Sequence, residues 1–156
     1  MDEQTAVGIV RQCYDAFMAG DTQRLMSFID PGVTWELPDM PGVPFSGKRQ
    51  GHEQVAEFFQ IVNDKQAVRE FAPKEFIAQG DRVVALGHYA WTVKENGADF
   101  ESDWAHIFTV RNGKVAAFRE FLDSHEEARA YQGESAAIVR GAAQQADAGR
   151  PAGWQL

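Results

Sequence analysis

The sequence predicts an α+β domain, with helices first and then a long antiparallel sheet curved into a cone. Three N-terminal helices are expected on the concave face of that sheet. Two observations carry this. Apolar residues early in the chain recur at steps of three and four, the period of a helix. From residue 68 to 123, four long alternating segments follow, divided by Gly80-Asp81, Glu95-Asn96-Gly97 and Asn112-Gly113. Turns of this composition supply the positive φ angles of tight hairpins, so the segments join in series as a meander.

Each element can be justified in order. Over 4–19, Val7, Val10, Tyr14, Phe17 and Met18 form one helical face. Gly20 ends that helix and Asp21 can cap the next, whose apolar face is Leu25, Met26, Phe28 and Ile29. Asp30-Pro31-Gly32 should stop it, because Pro and Gly together favour a turn. Val33 to Leu37 reads as a strand. Residues 38–51, with three prolines and three glycines, read as a loop anchored by Phe45. A third helix, about 52–65, places Val55, Phe58, Phe59 and Val62 on one side. Strands are expected at 68–79, 82–94, 99–111 and 114–123, then a short helix at 124–132 capped by Ser124 with Glu127 three residues on. The domain is expected to span 1–132. Residues 133–156, with seven alanines and four glycines, read as a weakly helical or mobile tail.

Composition narrows the function. The 156 residues suit one domain, and 44% hydrophobic with 24% charged residues suffices for a core. The formal charge of −8 repels phosphate backbones, which argues against a nucleic-acid partner. Cys13 is the one cysteine, so neither an intrachain disulfide nor a Cys-rich metal site can form. No apolar run of about 18 residues occurs, so no membrane partner is expected. The acidic start Met1-Asp2-Glu3-Gln4 lacks a signal-peptide pattern, and a cytoplasmic location is expected. Phosphate loops, dinucleotide fingerprints and nucleophile elbows are absent, and no cofactor is expected. The four histidines, His52, His88, His106 and His125, form no His-x-His or His-Glu-x-x-His pattern. His88, His106 and Glu120 would be the one candidate metal set, if neighbouring strands brought them together; none is expected.

This order of elements resembles the nuclear transport factor 2-like superfamily, in its SnoaL-like and ketosteroid isomerase-like branch, over roughly residues 5–131. The carriers are Tyr14-Asp15-Ala16-Phe17-Met18-Ala19-Gly20-Asp21, Val33-Thr34-Trp35-Glu36-Leu37-Pro38 and the segment from Phe45-Ser46-Gly47 to Phe58-Phe59. Trp104 to Val115 and Phe118-Arg119-Glu120-Phe121 complete the set. The resemblance implies a cone-shaped, cystatin-like α+β barrel with a central pocket. It does not imply one activity, because such folds host isomerases, cyclases, hydrolases and binding proteins.

Strand alternation puts Phe118, Glu120 and Leu122 on one face, and Arg119, Phe121 and Asp123 on the other. Ser102, Trp104, His106 and Phe108 likewise share a face. Periodicity leaves open which face is concave. The resemblance to limonene epoxide hydrolase, whose last strand holds an inward acid in the pattern aromatic-Arg-acid-aromatic, implies that Glu120 points inward. Hairpin pairing through Asn112-Gly113 then brings Trp104 and His106 to the same side. The expected catalytic pair is Glu120 with His106, and the expected substrate-binding residues are Trp35, Phe58, Phe59, Trp104 and Phe118, joined by His88 and Tyr14. A carboxyl group among aromatic rings is poorly solvated when charged, and such an environment poises a proton donor or acceptor for general acid–base work.

Each of these residues also has an ordinary structural reading. Glu120 could face solvent, His106 could be bonded to backbone, and the tryptophans and Tyr14 could be plain core. The chain differs from the enzymes it resembles: Leu37 stands where the isomerase carries its base, Cys13 rather than Tyr14 falls nearest its catalytic tyrosine, His106 falls near its neutral acid, and Gly87-His88-Tyr89 stands where the hydrolase carries Arg-x-Asp. The reading is therefore an acid–base enzyme acting on a small apolar molecule. The alternative is a non-catalytic ligand-binding or dimerisation module. Ala105, Ile107 and Phe121 would leave an apolar patch on the convex face, from which a homodimer through the sheet is expected.

Overall fold

The computed structural model describes residues 2–133, so the expected Ala/Gly-rich tail lies outside the described residues except for Gly133. The first helix, α1, spans Glu3–Met18 and is capped by Asp2, whose carboxylate accepts from the Thr5 N–H at 2.7 Å. Its buried stripe holds Ala6, Ile9, Val10, Cys13 and Tyr14. Gly20, at φ 71°, ends it in a left-handed conformation open to glycine. Asp21 then caps α2, Thr22–Ser27, accepting from the Arg24 N–H at 3.0 Å.

The stop at Asp30-Pro31-Gly32 is a correction. These residues lie inside strand β1, Ile29–Glu36, which begins four residues earlier than expected. Between Ile29 and Thr34 the register with the last strand shifts. Proline lacks an N–H for the ladder, and such an irregularity is where a strand accommodates it. The 38–51 loop also holds an unexpected short strand, β2, Lys48–Gln50, paired antiparallel with β1. Helix α3, Gly51–Lys65, follows.

The meander consists of β3 Gln66–Gln79, β4 Arg82–Val93, β5 Asp99–Arg111 and β6 Lys114–Leu122. The sheet order is β2-β1-β6-β5-β4-β3. It is a mixed sheet, because β1 runs parallel to β6 while the other pairs are antiparallel. That parallel pair reaches across chain order, which alternation within a strand does not encode. Register shifts at Val68/Glu70 and Pro73/Glu75 bend β3, and bends of this kind curl the sheet. Helices α1 and α3 pack on the concave side, and Phe45 is buried edge-on against Phe58 at 5.8 Å.

The last helix, α4, spans Ser124–Tyr131, and its cap is a further correction: Asp123, not Ser124, accepts from the Glu126 N–H at 3.3 Å. Glu127 is not a capping residue. It turns inward and is 2% exposed. Among the described residues no helix is long and apolar enough to cross a membrane.

Candidate functional site

Three strands and one helix converge on a buried hydrogen-bonded chain of side chains. On β5 the residues Ser102, Trp104, His106 and Phe108 are buried while their neighbours are not, as period-two alternation requires. On β6 Phe118 and Glu120 face the same interior, while Arg119 and Phe121 face out. The hairpin register places His106 directly opposite Glu120. Such cross-strand neighbours are near enough to touch, and His106 Nε2 lies 2.5 Å from Glu120 Oε2. The other ring nitrogen, Nδ1, lies 2.7 Å from the Tyr14 hydroxyl on α1. Tyr89, from β4, donates its O–H to Glu120 Oε1 at 3.4 Å. His106 is 4% exposed, Tyr14 6% and Glu120 8%.

The proton arrangement follows from donor inventories. When Glu120 is a carboxylate, Nε2–H donates to it, and Nδ1 is left to accept the Tyr14 O–H. Burial, then the charge of Glu120, pushes the Tyr14 phenol upward, so Tyr14 stays a neutral donor. The same causes raise Tyr89. Burial pushes the Cys13 thiol up to about 12, which makes it an inert thiol rather than a nucleophile. Glu127 is raised well above the usual carboxyl range by burial and then by the charge of Glu120, and its Oε2 has no partner among the described residues. Burial there favours its protonated form.

The chain opens on a cavity of about 80 Å³. Tyr14, His106 and Glu120 form its polar end, and Trp35, Phe58, Phe59 and Phe118 form much of its wall. Trp35 and Phe118 stack at 4.0 Å with 20° between planes. Trp104 is not a wall residue. It lies against the imidazole of His106, 4.0 Å between centroids and 16° between planes, and holds that ring in orientation. Gly87 makes this possible: a Cβ there would come within 2.3 Å of Trp104 Cζ2 and 2.6 Å of the Ala72 carbonyl. The departure from the hydrolase pattern at this position is thus the space that the indole fills. The Nε1 atoms of Trp35 and Trp104 are buried and have no partner among the described residues.

His88, like Trp104, is a correction among the expected site residues. It lies on the opposite face of β4 from Tyr89, with Nδ1 2.9 Å from Asp103 Oδ1. It therefore neither lines the cavity nor reaches His106, and the candidate metal set is split. Among the described residues no cluster of three or more His, Cys, Asp or Glu could hold a metal ion. The sequence reading missed Tyr89, Glu127, Cys13, Phe71 and Phe108. Counting register across the Glu95-Asn96-Gly97 turn pairs Tyr89 with Ser102, on the His106 face, and that signal would have found Tyr89 instead of His88. Glu127 had no such signal.

With this geometry in place, comparison with known proteins defines the class. The model of the SnoaL-like domain matches residues 10–118, and the chain belongs to that family. An NTF2-like protein from Burkholderia xenovorans LB400 shares 32% identity and a TM-score of 0.77, over 84% of this chain and 98% of that one. An NTF2-like protein of unknown function from Burkholderia pseudomallei K96243 shares 29% identity at a TM-score of 0.73, over 84% and 98%. TerC, co-crystallised with polyporic acid, shares 26% identity at a TM-score of 0.72, over 82% and 98%. No match is found among curated proteins.

Proposed function

We propose that this SnoaL-like domain is an enzyme performing acid–base chemistry, of isomerase, cyclase or hydrolase type, on a small apolar molecule. The observation that carries this reading is the buried Tyr14–His106–Glu120 chain at the polar end of an aromatic cavity. Glu120 takes a proton from the substrate or from a water beside it, and returns it at a second position. His106 supports the carboxylate through Nε2–H, and Trp104 and Tyr14 keep the imidazole in place. The rings of Trp35, Phe58, Phe59 and Phe118 bind the apolar body and exclude water. The relationship to TerC agrees with a small-molecule pocket.

The test is a screen of small neutral carbonyl compounds for isomerisation or ring closure, followed by Glu120→Gln. Turnover should fall about 10²–10⁴-fold, the scale of a lost general acid–base group, with the melting temperature nearly unchanged. Full activity in that variant removes Glu120 from the mechanism. The binding-module reading is favoured by one observation: Leu37, at the position that the resemblance gives to the isomerase base, is 4% exposed and apolar. A ligand bound but never converted, and still bound by the double His106 and Glu120 variant, would establish it.

A homodimer through the outer sheet face belongs to the same proposal. Phe121 is 43% exposed there, with the Arg119 guanidinium 4.5 Å above its ring. Light scattering should give twice the 17.4 kDa chain mass, and a mass near 17.4 kDa would overturn the pairing.

A further inference from the structure

Beside the cavity lies a second space, a groove of about 360 Å³ bounded by α2, the end of α3 and the paired ends of β3 and β4. Phe17, Leu25 and Phe59 line both spaces. The rings of Phe17 and Phe59, both half-buried, sit 6.0 Å apart. The cavity and the groove therefore meet across these side chains.

The two spaces differ in chemistry. Among the described residues the inner one is apolar except at Tyr14, His106 and Glu120, and its lining offers an anion no lysine or arginine but a carboxyl group. The groove carries Thr22, Asn63, Gln66 and Lys94, and among the described residues Lys94 is its one charged lining residue. A lining with an ammonium and no carboxylate stands out in a chain with 23 acidic and 15 basic residues. Lys94 Nζ donates to the Asn63 carbonyl at 2.7 Å, which fixes the ammonium at the rim. Two of its three N–H donors remain for a ligand. Gln66 accepts from the Tyr131 hydroxyl at 2.6 Å through Oε1, so its amide N–H groups are what it can offer.

We propose that the site is bipartite and takes an elongated amphipathic molecule. A flat apolar ring passes Phe17 and Phe59 into the inner cavity, and an anionic, carboxylate-type end stays in the groove against Lys94. This rests on the inner cavity being the binding site proposed above. It does not require that Glu120 transfer a proton.

The experiment titrates the full chain with phenylbutyrate and with the neutral phenylbutanol, read by amide NMR shifts. Saturating phenylbutyrate should shift resonances around both Lys94 and His106. It should bind about two- to fivefold more tightly than the alcohol, the scale of an exposed ion pair, and high salt should erase the difference. Lys94→Gln should bring the two affinities together and leave that of the alcohol unchanged. Equal affinities in the unmodified chain, shifts confined to one of the two regions, or no saturable shift with either probe overturns the proposal. Glu120→Gln should keep this binding pattern whether or not it loses turnover. In the unmodified chain, the two-probe pattern with no turnover of any screened compound sinks catalysis alone, whereas turnover with the two probes bound alike sinks the bipartite site alone.

Discussion

Two histidine–carboxylate pairs lie on adjacent parts of one sheet, and their surroundings give them different fates. His106 and Glu120 meet at 2.5 Å with side chains 6% and 9% exposed. His88 and Asp103 meet at 2.9 Å, but Asp103 is 92% exposed. The residue types are alike and the bond lengths similar. Water decides the rest. Around Asp103 the carboxylate is solvated with or without its partner, so the pair contributes little. Around Glu120 the rings of Trp104 and Phe118 replace water, and a carboxylate there depends on His106 and Tyr89 for its solvation.

The comparison is broken hardest by Glu120→Ala, which strands the imidazole between Tyr14 and a void. Urea denaturation should show a loss of about 3–5 kcal/mol, as for other buried pairs cut on one side. Gly87→Ala comes next. Its methyl group meets Trp104 and the Ala72 carbonyl, and overpacking of this kind costs about 1–3 kcal/mol. A change in near-UV circular dichroism should report that the indole has left the imidazole. If stability and spectrum are both unchanged, Trp104 does not orient His106.

Glu127 sharpens the comparison through pH. Its folded value lies well above its ordinary 4.5, so the folded chain binds a proton that the unfolded chain has released. The stability linked to that proton is complete below 4.5 and is lost as pH rises toward the folded value, with a slope of at most about 1.4 kcal/mol per pH unit. Glu127→Gln keeps the shape and removes the titration. Urea midpoints at acid and mildly alkaline pH should fall in the parent chain and stay level in the variant; parallel curves would place Glu127 in contact with water. The smallest effect belongs to Asp103→Ala, within about 0.5 kcal/mol by the same urea method.

Much of this was legible along the chain. The hairpin turns at Gly80-Asp81 and Asn112-Gly113 set strands whose limits lie within two residues of those expected, because turn chemistry is local. Alternation sorted Phe118 and Glu120 from Arg119 and Phe121 for the same reason. Where local preference competed with pairing, pairing won. Pro31 and Gly32 entered β1 because β6 offered Ile29 and Thr34 a ladder to join. His88 was misplaced because one residue of register exchanges the two faces of a strand, and Tyr89, beside it, took the inner side.

The sequence by itself determined the order of the helices and of the meander strands, the two alternating sets on β5 and β6 and the aromatic stock of the interior. These depend on periods of two and 3.6 residues and on turn residues, which neighbours along the chain impose. Only the tertiary structure decided that α1 brings Tyr14 to His106, that Gly87 admits the Trp104 indole, and that Glu127 is buried. Each of these joins residues far apart in the chain, and the closeness that sets their chemistry arises when the sheet curls and the helices close over it.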